Sequence, residues 1–101
     1  MNISQKQVKY LRKLGHGLSP IVTVADRGLI DTVMLAIEEG LDKHELIKVK
    51  VRHDRDQRNE ICKKICKKTG AEMVQQIGMV LLIYRPGKKP TIDFSGHNRR
   101  S

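Results

Sequence analysis

Apolar residues change their spacing along this chain from helical to alternating and back, and the changes divide it into seven elements. Val8, Leu11 and Leu14 recur at helical intervals. Ser4 precedes them with Gln7 three residues on, so each side chain can satisfy the other's backbone N–H at a helix start. Gly15 or Gly17 ends that helix. Pro20 opens a β-branched run, Ile21 to Val24, which reads as a first strand. After the turn Ala25-Asp26-Arg27-Gly28, the residues Ile30, Val33, Met34, Ile37 and Leu41 mark a second amphipathic helix, with Gly40 loosening its end.

From Glu45 to Arg52 the pattern alternates: Ile47, Val49 and Val51 point one way, Leu46, Lys48, Lys50 and Arg52 the other. Asp54 or Asp56 caps a third helix whose inner stripe is Ile61, Cys62, Ile65 and Cys66, and Thr69-Gly70 stops it. Glu72 to Ile77 and Met79 to Arg85 read as a hairpin pivoting at Gly78. Because Met79 to Tyr84 is apolar on both faces, that strand belongs inside the sheet.

The order α-β-α-β-α-β-β predicts an α/β (α+β) fold with a four-stranded mixed sheet. Helices two and three cover one face and helix one covers part of the other. A right-handed crossover makes the first two strands parallel. It also brings the Ala25–Gly28 loop and the Arg52–Arg58 segment to one edge, where open sheets bind ligands. Residues 1–86 form the domain, and 87–101 read as a basic, mobile tail.

Charge sharpens this picture. Lys and Arg number 20 against 11 Asp and Glu, a net +9, and the excess is unevenly spread. Helix one carries +4, residues 26–45 carry −4, and residues 52–68 carry +4 again. A basic chain with one acidic helix suits a polyanion, with the acidic helix two left for a protein partner. The strand-to-helix loop adds specific chemistry. Its N–H groups, at the positive end of helix two, suit a phosphate oxygen. The candidate site is therefore Ala25, Asp26, Arg27, Gly28 and Leu29, with Arg27 as a forked donor. Lys6, Lys9, Arg12 and Lys13 extend it from helix one, Lys48 and Lys50 from the sheet. Arg52, Arg55 and Arg58 share the loop's edge, and Arg85, Lys88 and Lys89 add range.

Other chemistries fare worse. With only two Tyr, one Phe and no Trp, stacking on splayed bases has few aromatic candidates. His16, His44, His53 and His97 have no metal-ligand spacing, and Cys62 and Cys66 read as small core residues with poor disulfide geometry. No metal or cofactor is expected. A small ribonuclease using His53 with Asp54, or His44 with Glu45, is the enzymatic alternative, and no pair has a spacing that catalysis demands. General DNA binding is the other alternative, because phosphate contacts do not distinguish the polymers. No apolar run approaches the roughly 20 residues of a membrane span, and no secretory signal opens the chain. A cytoplasmic monomer is the expectation.

Val24-Ala25-Asp26-Arg27-Gly28-Leu29, the run Lys43 to Lys50, Thr69-Gly70-Ala71, Ile77-Gly78 and Leu82-Ile83-Tyr84-Arg85-Pro86 together resemble the CRM domain family. From Ile3 to Pro86 the chain is similar to the bacterial stand-alone, YhbY-type members of that family. The resemblance implies an RNA-binding domain with the topology of the C-terminal domain of bacterial translation initiation factor three. It implies docking on structured ribosomal RNA in precursors of the large (50S) subunit; from the residue spacing above, no enzymatic activity is expected. Its signature is a Gly-x-x-Gly loop that clamps nucleic-acid backbone. Gly28 holds the second glycine position and Ala25 the first, where a methyl costs little unless φ is positive. Ile30 stands where the family has a capping threonine, which leaves Asp31 as the nearest capping side chain.

Overall fold

Short-range hydrogen bonds fix the element ends. In the computed structural model, which describes residues 3–94, Ser4 N–H donates to Gln7 Oε1 at 2.8 Å and Gln7 N–H to Ser4 Oγ at 3.1 Å. This capping box opens α1 (Gln5–Gly15). β1 (Pro20–Val24), α2 (Asp31–His44) and β2 (Leu46–Val51) follow. Asp54, rather than Asp56, caps α3 (Arg55–Thr69) by accepting from Gln57 N–H at 3.0 Å. Gly70 ends α3 at φ 75°, and Gly78, at φ 55°, turns β3 (Glu72–Ile77) into β4 (Val80–Tyr84). Both are positions where a side chain would be strained.

The sheet runs β1-β2-β4-β3, with β1 parallel to β2 and the other pairs antiparallel. β4 lies inside, as its apolar sequence requires. Its side chains alternate between two cores. Leu81 and Ile83 join Val22, Val24, Ile37, Leu41, Val49, Val51 and Ile65 beneath α2 and α3. Leu82 and Tyr84 join Leu11, Leu46 and Val74 beneath α1. Residue 40 departs from expectation. A Cβ on Gly40 would stand 2.8 Å from Ile21 Cδ1 and 3.4 Å from Ile47 Cδ1. Glycine there lets α2 lie close on β1 and β2, and the helix continues to His44.

Glu45 is the residue whose role is least visible in the sequence. Expected to begin the second strand, it instead caps α2 at φ 66°, the one positive φ outside glycine among the described residues. Its side chain is only 2% exposed. The carboxylate accepts from Gly87 N–H (2.6 Å), Thr91 N–H and Oγ1–H (both 2.9 Å) and Ile92 N–H (3.1 Å). Residues 87–94, placed by the sequence in a mobile tail, are thus fastened to the domain as a strap. Ile92 and Phe94 pack on the α1 core, and Phe94 meets Tyr10 and Tyr84 edge-on at 5.9 and 5.7 Å. The remaining tail, 95–101, lies outside the described residues.

Burial pushes the Glu45 carboxyl upward, but the donors of Gly87, Thr91 and Ile92 outweigh it, and the group titrates below its usual 4.5. A depressed folded-state pKa adds stability above the unfolded value, and that stability is lost as pH falls through the folded one. Strap amides followed by hydrogen exchange should therefore lose protection on acidification below 4.5, and Glu45→Gln should remove that dependence. Glu45→Ala, which leaves those donors unpaired, should cost about 2–3 kcal/mol at neutral pH in urea unfolding.

Candidate nucleic-acid interface

β1 ends at Val24, and the chain turns at once: Gly28 N–H donates to Ala25 O at 2.9 Å, closing a four-residue turn. Gly28 takes φ 73°, while Ala25 keeps an ordinary φ, so its methyl carries no backbone strain. Ile30 N–H donates to Gly28 O at 3.0 Å. The amides of Asp26, Arg27 and Leu29 have no partner among the described residues. α2 begins without any side-chain cap. Asp31, the expected substitute, is the first helical residue and supplies charge rather than a hydrogen bond. Its N–H and those of Thr32 and Val33 have no intrahelical acceptor. Ala25, Asp26 and Arg27 are exposed. The loop therefore presents unclaimed N–H donors at the positive end of a helix.

A second loop braces the first. Arg52 N–H donates to Val24 O at 2.9 Å, extending the parallel ladder past β2. His53 Nε2–H donates to Ala25 O at 2.7 Å. Arg58 Nη1 donates to His53 O at 3.1 Å, and its Nε is buried without a partner. Arg58 is thus a buttress of the loop, whereas Arg52 and Arg55 remain exposed on the edge. The same contacts occupy three of the four groups considered for acid–base chemistry, His44 being the exposed fourth. His53 holds a carbonyl, Asp54 caps a helix, and Glu45 holds the strap.

The other predicted cations separate into three groups. Lys48 and Lys50 point from β2 to the α1 side of the sheet, with Lys50 paired beside Thr23, next to the loop edge. Lys6, Lys9 and Lys13 gather along α1 beside Tyr10, and exposed Arg12 reaches Val74 O with its Nε at 3.4 Å. Arg85, Lys88 and Lys89 follow the far end of β4, a strand length of roughly 17 Å from the loop. Arg85 is spent on the protein: Nη1 bonds Glu38 (2.7 Å) and Thr69 O (2.8 Å), and Nη2 bonds Asp42 (2.8 Å). It also offsets part of the acidic charge of α2. Only the cross-strand register, unreadable before pairing was known, shows that Thr23, Gln75, Ile77 and Val80 share a face with the two lysines.

With this geometry in place, comparison with known proteins is decisive on one point. The CRS1/YhbY (CRM) domain model matches residues 3–85. The chain belongs to the CRM domain family. An "RNA-binding protein" of Haemophilus influenzae is 42% identical over 91 residues, 89% of this chain and 92% of its own. A "probable RNA-binding protein" of Pseudomonas aeruginosa is 37% identical over 100 residues, 98% of this chain and 96% of its own. A solution structure of a Staphylococcus aureus protein, described as a candidate RNA-binding protein, superposes at TM-score 0.75 with 34% identity, covering 87% of this chain and 93% of that one.

Both thiols of this CRM domain are core groups. Burial pushes Cys62 up despite nearby Arg58, and burial with the Cys62 and Glu72 charges pushes Cys66 to about 11. Among the described residues no His, Cys, Asp and Glu cluster is arranged for a metal, and no helix is long and apolar enough to cross a membrane. The brace on the loop is directly testable. His53→Ala should cost about 1 kcal/mol and raise the hydrogen-exchange rate of the Gly28 amide, while strap amides near Glu45 keep their protection.

Proposed function

We propose that this CRM domain binds structured ribosomal RNA in precursors of the large (50S) ribosomal subunit, acting in the cytoplasm as a monomer. The observation that carries the reading is the exposed Ala25–Gly28 turn, whose unclaimed amides adjoin the uncapped start of α2. A phosphate seated there accepts from backbone N–H groups, as at other helix starts. Arg27 supplies a forked donor to the same or a neighbouring phosphate. Arg52 and Arg55 hold the strand along the edge, Lys50 and Lys48 continue the track over the sheet, and Lys6, Lys9, Arg12 and Lys13 flank it on α1. Lys88 and Lys89 extend its range, and Arg85 and Arg58 stay outside the contact.

RNA, rather than DNA, is favoured by the names of the relatives, and the large subunit by the resemblance to stand-alone family members. The chemistry is binding: His53, Asp54 and Glu45, which a nuclease would need as acid–base partners, are engaged within the fold. The acidic surface of α2 faces a protein partner in the assembling particle.

Three measurements test the reading. The logarithm of the RNA affinity should fall linearly with the logarithm of salt concentration, by about 0.7 per phosphate engaged on single strands, and a flat response would refute it. Arg27→Glu should weaken RNA binding about tenfold or more with little change in melting temperature. Sedimentation of a lysate should place the protein with large-subunit precursors, and a wholly free protein would remove the ribosomal part.

A further inference from the structure

Residues paired across strands share a face, so the register defines two rows on the α1 side of the sheet. One is Lys48–Leu82–Gln75; the next, toward the loop edge, is Thr23–Lys50–Val80–Ile77. α1 ends over the first row, where a Cβ on Gly15 would stand 2.6 Å from Leu82 Cδ2. The second row is left open, and Ile77 at its end is 65% exposed. Where helix end and open rows meet lies a cavity of about 310 Å³, lined by His16, Lys48, Gln75, Ile77, Val80 and Leu82.

The chemistry of that lining is asymmetric. Ile77, Val80 and Leu82 form an aliphatic floor, and Gln75, His16 and Lys48 bring a carboxamide, an imidazole and an ammonium to the rim. None of these three polar side chains has a hydrogen-bond or ion-pair partner among the described residues. No carboxylate lines the cavity. Lys50 stands between it and the Ala25–Gly28 turn, one strand repeat of roughly 7 Å from Lys48.

We propose that this cavity receives one unpaired nucleobase of the RNA held at the turn; the proposal rests on the RNA-binding reading above. The flat face of the base lies on Ile77 and Val80, with its inner edge toward the buried Leu82, and these take the place of the aromatic platform this chain lacks. Gln75 offers a donor and an acceptor to the base edge, and His16 adds a ring nitrogen. Lys48 and Lys50 take the flanking phosphates, and the same positive charge disfavours a basic peptide as occupant. A base inside an A-form duplex cannot reach the floor, because it is stacked and its edges line grooves that side chains read poorly. The cavity therefore selects a loop, bulge or single-stranded end next to the duplex.

The test compares a labelled RNA duplex of about 16 base pairs with the same duplex bearing a single-stranded extension, by fluorescence anisotropy. The wild-type protein should bind the extended RNA more tightly. Ile77→Ala and Gln75→Ala, whose side chains make no hydrogen bond among the described residues, should each lose about five- to tenfold on the extended RNA. They should keep the wild-type duplex affinity, salt slope and melting temperature. Arg27→Glu should lose affinity for both RNAs. With methyl-labelled protein, nuclear Overhauser contacts should link base protons of the extension to the Ile77 and Val80 methyls. Unchanged affinity of both alanine variants for the extended RNA, or absence of those contacts in the bound state, would overturn the proposal and leave the cavity to a protein partner. Failure of the wild-type protein to bind either RNA would instead overturn the underlying reading.

Discussion

The parallel pairing of β1 with β2 is the constraint on which the rest of the molecule turns. Val24 lies beside Val51, and Arg52 N–H extends the ladder to Val24 O at 2.9 Å. Because the strands run the same way, the loops that leave them emerge at one edge, the usual ligand edge of an open sheet. The β3–β4 hairpin joins them there, with Met79 O accepting from Val51 N–H at 2.7 Å. An antiparallel β1 would have sent Ala25–Gly28 to the opposite end, away from His53, Arg52 and Arg55. The candidate phosphate site is therefore a property of topology before it is a property of any side chain.

The fold holds that edge still by tying down the other end. β4, apolar on both faces, gives each helical layer a floor. At its far end Glu45 joins three structures at once. Its N–H bonds Leu41 O, its carbonyl accepts from Arg85 N–H, and its carboxylate gathers the strap. A buried carboxylate with no cationic partner among the described residues is tolerable because four donors converge on it. The same convergence makes the strained φ of 66° at a non-glycine residue affordable. Strain is thus concentrated far from the edge proposed to face RNA, which needs only the ordinary glycine at position 28.

Local signals made most of this architecture readable from the sequence. Ser4 with Gln7, Gly70 and Gly78 act through neighbours a few residues away, so the element order and the doubly apolar inner strand could be read directly. Positions defined by tertiary approach could not. Gly40 looked like a weak helix end because nothing near it in sequence reveals Ile21 and Ile47 pressing from the sheet. Glu45 looked like a strand residue because its partners lie more than 40 positions away. Arg85 looked like a free cation for the same reason, and Arg58 did so although its partner His53 is only five residues away: charge is visible in a sequence, but commitment to an internal partner is not. The loop itself was legible as a motif, while its brace, His53 on Ala25 O, needed the sheet to be closed first.

Charge of both signs then completes the argument about orientation. Arg85 binds Glu38 and Asp42, yet Asp31 and Glu39 stay exposed on α2, behind the loop. A polyanion approaching from the α2 side meets carboxylates, and one approaching over the sheet meets Lys50, Lys48 and the α1 lysines. Like-charge juxtaposition discriminates between poses even where it adds nothing to affinity. On this account the acidic helix is part of the recognition surface. It would confine a bound strand to one side of the turn, where the uncovered sheet rows lie, and would leave its own face for the proposed protein partner.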